Sequence, residues 1–216
     1  MKTDLLNIAS LLDFPDESTL ETVNEIQLLL DGKYPELGMI LEPFTEYVSV
    51  NSVNEVRELY TRTFEVQAIT TLDLGYLLFG DDYKRAELLV NLSREHTLIE
   101  NDCGFELADH LPNVVRLLAR MQDELIQKEL VEKIINPGLK KMIAEFDPMN
   151  LGKKNELYVR HHKTLIDTCG ANSTMYQRPL VVMLEIICRE FGLSSGMENN
   201  ESGFVTAMAT EMKLEE

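Results

Sequence analysis

The sequence predicts an all-α fold. We expect a single-domain bundle of about eight or nine helices over residues 1–194, followed by a largely disordered acidic tail over 195–216. Three observations lead there. Apolar residues recur at three- and four-residue spacing almost throughout. Ser, Asp and Pro stand where helix starts need them. A 216-residue chain with 44% hydrophobic and 26% charged residues can bury one sizeable core, which excludes disorder along its whole length.

Leu5, Ile8, Ala9 and Leu12 mark a short first helix, stopped by Pro15. Ser18-Thr19-Leu20-Glu21 fits a capping box, in which two side chains satisfy free amides at a helix start. Leu20, Val23, Ile26 and Leu30 then form one stripe, with Gly32 just past its end. A third helix runs from Leu37 to Ser49 with Ile40, Leu41, Phe44 and Val48 inward, weakened in the middle by Pro43. A second box, Ser52-Val53-Asn54-Glu55, opens a helix whose inner face is Val56, Leu59, Tyr60 and Phe64. The apolar stretch Thr70 to Phe79 fits strand or helix. Helix is favoured because no partner strand is visible elsewhere. Gly80-Asp81-Asp82 reads as a turn with capping acids, followed by a long helix to about Glu100 and a loop, Asn101 to Phe105, around Gly104.

Asp109 is placed to cap the next helix, and Pro112 sits in its first turn, where a missing amide costs nothing. Leu111, Val114, Val115, Leu118 and Met121 follow on one face. Leu125 to Phe146 continues as helix with a kink or break expected at Pro137-Gly138. Asp147 to Lys154 reads as a loop. Leu157, His161, Leu165 and Thr168 share a face of another helix, and Gln177 to Phe191 forms a last, strongly apolar one before Gly192.

Thirty-seven acids against 20 Lys and Arg leave a net charge of −17. Twelve acids and three bases fall in residues 1–60, so over half the net charge lies in under a third of the chain. Such acidity disfavours sequence-independent nucleic-acid binding and anionic membrane surfaces. It promotes solubility and suits a basic partner. Cys103, Cys169 and Cys188 are too few and too far apart for a disulfide framework or a zinc knuckle. No stretch reaches the ~20 apolar residues of a membrane helix, and the start is too short and polar for a secretory segment, so a cytoplasmic protein is expected.

No phosphate-binding loop, nucleophile elbow, zinc-protease or dinucleotide motif is present, and no catalytic residue, metal or cofactor is assigned. His161 and His162 are adjacent, so on a helix they diverge by ~100° and cannot both face one ion. One polar cluster stands out: Glu106-Leu107-Ala108-Asp109-His110-Leu111-Pro112 packs two carboxylates and an imidazole into a helix entry. Capping explains it from spacing alone, with Asp109 satisfying amides and Glu106 answering the helix dipole. A polar patch for a ligand or partner is the alternative. An acid–base trio in a small helical enzyme is a further reading, and it would need an accessible pocket.

The cluster belongs to a longer pattern. Tyr60-Thr61-Arg62-Thr63-Phe64 is followed by Leu77-Leu78-Phe79-Gly80-Asp81-Asp82-Tyr83-Lys84-Arg85-Ala86, then Asn101-Asp102-Cys103-Gly104, then Glu106 to Val115. This stretch resembles the NarJ branch of the TorD/DmsD/NarJ family, cytoplasmic chaperones dedicated to molybdenum-containing oxidoreductases. The family's Glu-x-x-Asp-His segment falls on Glu106, Asp109 and His110, with Ala108 where the branch commonly has proline. The likeness is strong over about 60 residues (Tyr60 to Met121), loose in the first helices and around Ile135-Asn136-Pro137, and slight beyond Asn150.

The resemblance implies a TorD-like helical fold and a chaperone's task. That task is to bind the N-terminal leader, or leader remnant, of an apo catalytic subunit and support molybdenum cofactor insertion before assembly or export. A monomer is the default, with exchange of elements between copies as a route to a dimer. The candidate peptide-binding residues are Tyr60, Phe64, Leu78 and Phe79 for apolar contact, Glu106 and Asp109 for a basic side chain, and His110 beside them in a neutral hydrogen-bonding role. By spacing alone, Phe64 is more readily core than contact. A partner-binding adaptor unrelated to molybdenum enzymes is the remaining alternative.

Overall fold

A computed structural model describes residues 2–162 and 172–194. In chain order it holds α1 (Lys2–Ala9), a 3-10 turn (Ser10–Leu12), α2 (Thr19–Lys33), α3 (Pro35–Val50), α4 (Val53–Phe64), α5 (Leu74–Phe79) and α6 (Tyr83–Leu98). Then come α7 (Leu111–Arg120), α8 (Glu124–Leu130), a π turn (Val131–Ile135), α9 (Asn136–Ala144), α10 (Pro148–His162) and α11 (Gln177–Phe191). With α8, the π turn and α9 taken as one rod, that makes ten helices among the described residues, one above the expected range. The fold is all-α, a single-domain bundle. The expected tail at 195–216, the helical face at Leu165 and Thr168, and Cys169 lie outside the described residues.

Helix α7 is the spine. Leu111 to Ala119 are all buried except Arg116, because a dense apolar face packs inward and Asn113, on the polar side with Arg116 and Arg120, is covered by the loop before the helix. α1 packs on it and on α11, and α2 pairs with α3 as a helical hairpin. α11 also packs on α3 and α9, burying Leu180, Val182, Met183, Leu184, Ile186 and Ile187, with Cys188 among them as core. α5 lies against α6 and α9. A Cβ at Gly138 would come 2.3 Å from Leu74, so the α5–α9 approach depends on that glycine.

Local chemistry explains most element ends and corrects several expectations. Ser52 and Glu55 form the expected box: the Ser52 amide donates to Glu55, and the Glu55 amide to the Ser52 hydroxyl. The box expected at Ser18 does not form. Asp16 accepts from both the Ser18 amide (2.8 Å) and hydroxyl (2.7 Å), drawing that side chain away from the helix. Gly32 lies inside α2 instead of past its end. Pro43 leaves α3 unbroken. The carbonyl it leaves without an amide belongs to Met39, on the exposed side, where water can serve it. The break expected at Pro137-Gly138 occurs one turn earlier as the π turn, where the Asn136 amide reaches back five residues to Val131. Asp147 to Lys154 is not a loop: helix begins at Pro148 and Asp147 stands directly before it. The Asp147 carboxylate accepts from the Met149 amide at 2.8 Å and Pro148 takes the first helical position.

Tyr60 and Phe64 belong to the core, which corrects their placement in a peptide groove. Their ring centroids are 5.0 Å apart, and each lies edge-on to Tyr176, at 5.7 Å and 5.1 Å. Phe14 and Phe44 complete the cluster. The Tyr60 hydroxyl turns inward toward the Leu12 carbonyl, and burial pushes its pKa up.

Candidate functional site

Two segments distant in sequence meet in front of α5 and α7. The Leu74 amide donates to the Asp109 carbonyl (3.0 Å), and the Leu111 amide to the Leu72 carbonyl (2.8 Å). Asp73 and His110 thereby face each other in an isolated antiparallel bridge. Thr70 to Leu72 is thus irregular, Asp73 is extended, and helix begins only at Leu74. This bridge sets the N-terminal ends of two helices side by side, where amides point outward and favour carboxylates.

Neither Asp73 nor Asp109 caps the helix that follows it. Asp109 does not cap α7. The residue at that cap is His110, which makes no side-chain cap bond. The Asp109 carboxylate instead accepts from the Gly75 amide in the first turn of α5, at 3.0 Å. Asp73 holds the cap position of α5 but does not cap it either. Its carboxylate turns to Arg85 of α6 (3.1 Å) and to His110 Nδ1 (3.4 Å). Arg85 bridges the two acids, its Nε lying 3.3 Å from Asp109, and its guanidinium stands 5.2 Å above the Tyr76 ring. A Cβ at Gly75 would lie 2.5 Å from the Asp109 carboxylate, so glycine is what lets Asp109 reach the amide.

Asp109 is fully buried, and its second oxygen, Oδ1, has no hydrogen-bond partner among the described residues. Burial raises its carboxyl pKa and the Asp73 charge adds to the rise, while Arg85 and the Gly75 amide oppose it. Glu106 is the exposed member, 59% accessible, with its carboxylate 3.7 Å from His110 Nδ1. His110 is 11% accessible and stands between the carboxylates of Glu106 and Asp73. Leu78 and Phe79, on the same short helix as Gly75, are half-buried.

The loop between α6 and α7 is braced from below. His96 is buried, its Nε2 facing the Ala108 carbonyl (3.0 Å) and its Nδ1 the Asn101 amide nitrogen (2.8 Å). A carbonyl can only accept, so Nε2 carries the proton. Burial lowers the His96 pKa. Arg120 donates to Asn101 Oδ1, and Asn113 donates to the Cys103 carbonyl. Between this loop and α6 lies an open cleft of about 590 Å³, walled by Thr97, Glu100, Asp102, Cys103, Glu106 and Leu107 among others. Cys103 has its thiol pKa raised by burial and by Asp102, which favours the less reactive thiol.

Of the seven candidate residues, the structure joins Asp109, His110 and Glu106 through Arg85 and Asp73. It leaves Leu78 and Phe79 close in sequence to that network and separates Tyr60 and Phe64 into the core. Sequence reasoning missed Asp73, although an Asp directly before the run Leu74 to Phe79 is an N-cap pattern. It quoted Arg85 and Asn101 without a role. His96 carries no local signal, because loop closure makes its partnership.

The network can hold a cation at its rim. It cannot offer Asp109 to a substrate, since that carboxylate is buried and committed to Gly75 and Arg85. Among the described residues no group of three His, Cys, Asp or Glu could hold a metal ion, and no helix is long and apolar enough to cross a membrane. Comparison of the chain with protein-family models and with curated proteins finds no match.

Proposed function

We propose that this chain is a cytoplasmic assembly chaperone for a molybdenum-containing oxidoreductase. It binds the N-terminal leader, or leader remnant, of the apo catalytic subunit and holds it competent for cofactor insertion before assembly or export. One observation carries the reading. Two of the stretches whose sequence resembles the NarJ branch, Leu77 to Ala86 and Glu106 to Val115, are tied together by Arg85 reaching Asp109. The carboxylates of that network, Asp73 and Glu106, flank His110 at the accessible rim.

The physics is consistent with this role. Leader segments of this type carry arginines followed by an apolar stretch. A chain of net charge −17 attracts the arginines over long range and speeds encounter. Rim carboxylates then offer a charge-assisted bond to a guanidinium.

The test is a calorimetric titration with synthetic peptides that copy the N-termini of molybdoenzyme catalytic subunits from the same cell. We expect saturable binding that weakens as salt is raised. Absence of saturation at high micromolar peptide, across the candidate subunits, counts against the proposal.

A further inference from the structure

Phe105 is fully exposed and Leu107 is half exposed, on a loop that is otherwise firmly built. Beneath them the buried groups His96, Asn101 and Asn113 bond the loop to α6 and α7. Gly104 takes a positive φ of 61° that turns the chain outward at this point. Three buried polar groups are spent on holding this loop, yet its phenyl ring stays in water. Leu107 forms part of the cleft wall, and three carboxylates, Glu100, Asp102 and Glu106, line the same cleft. Among the described residues neither lysine nor arginine lines it, and its histidine, His96, has its pKa lowered by burial. An acid-lined cleft with Leu107 in its wall, and exposed Phe105 on the same loop, matches a segment that is cationic at one point and apolar next to it.

We propose that the 102–107 loop and its cleft are the docking surface for the client's leader, with an arginine entering between Glu100, Asp102 and Glu106 and the adjoining apolar residues lying on Phe105 and Leu107. This inference rests on the chaperone reading and assigns the face that takes the client. Complementary charge selects the occupant. The pairing also sets orientation, since the arginine and the apolar stretch have separate places to go.

The test uses the full chain and a synthetic peptide with arginines followed by an apolar helix-forming stretch, copying a leader that binds the wild-type protein. The double variant Phe105→Ser/Leu107→Ser should weaken binding about tenfold or more, as loss of an aromatic anchor does. Its unfolding midpoint should fall only slightly, because Phe105 contributes no burial and Leu107 is half exposed. Glu100→Gln should weaken binding and flatten its salt dependence. Leu28→Ser, an equally exposed apolar change on α2, should leave affinity unchanged. Wild-type affinity in the double variant overturns this docking surface and leaves the chaperone reading standing. Failure of the wild-type chain to bind any candidate leader overturns both. A dimer that sediments as such and is dispersed by Phe105→Ser/Leu107→Ser assigns the face to a second copy and overturns the proposal.

Discussion

Asp109 shows how much one carboxylate can be asked to do. It accepts a helix amide from another segment, neutralises part of Arg85, and occupies space that only a glycine at position 75 leaves open. Gly75→Ala should displace it, and Asp109→Ala should remove it. Each should cost about 2 kcal/mol by leaving a buried polar group unsatisfied. The double variant should cost little more than either, because both changes break the same bond. Urea denaturation checks this, and additive costs would refute the shared bond. His96 supplies a second prediction. Burial lowers its pKa below the ordinary 6.5. Between the folded-state value and 6.5 the unfolded chain therefore binds more protons, so stability grows with pH through that window and is lost as pH falls below 6.5. His96→Gln should flatten that part of the profile. The imidazole, followed by NMR, should titrate below 6.5.

Helix α10 is held to the rest of the fold by a buried ion pair. Lys154 and Glu145 lie 2.7 Å apart, both almost wholly inaccessible, and Lys154 also bonds the Ile69 carbonyl just ahead of the bridge segment. Burial lowers the Lys154 pKa to about 8 against Glu145, which works to raise it. From about pH 8 to 10.5 the unfolded chain binds more protons, so this group's contribution to stability rises with pH. Glu145→Gln, which leaves the ammonium buried without that carboxylate, should cost about 3 kcal/mol. Glu145→Leu/Lys154→Met should cost far less, since a well-packed apolar pair carries no desolvation penalty. Thermal melts at pH 7 and pH 10 separate the cases. An equal loss in the single and double variants would contradict the account.

Across the whole molecule, Tyr176 ties chain regions that are far apart in sequence. It packs on Phe44 of α3 and on Tyr60 and Phe64 of α4, from the turn that opens α11. Tyr176→Ala should cost about 3–5 kcal/mol through the cavity it leaves, read as a lowered urea midpoint with unchanged slope. The net charge of −17 acts at the same scale. Self-repulsion within the compact state predicts a modest rise in thermal stability with added salt, while leader binding weakens over the same range.

Helices were legible in the sequence wherever one face is apolar or a cap is local. Ser52 with Glu55, Asp82 before α6, and the dense apolar face of α7 are complete within a few residues, so no distant partner is needed to read them. The same locality misled at Ser18, where Asp16 competes for its hydroxyl, and at Asp147, where a cap was read as part of a loop. The trio Glu106, Asp109 and His110 could be found but not assigned, because its bonds run to Asp73, Gly75 and Arg85 on other elements. The sequence by itself determined an acidic, all-helical chain and the position of its polar cluster, since periodicity, caps and charge are local or additive properties. Only the tertiary structure decided that Asp109 is buried, that Tyr60 and Phe64 are core, and that Phe105 stands in solvent on the loop beside an acidic cleft, since burial depends on which surfaces distant segments cover.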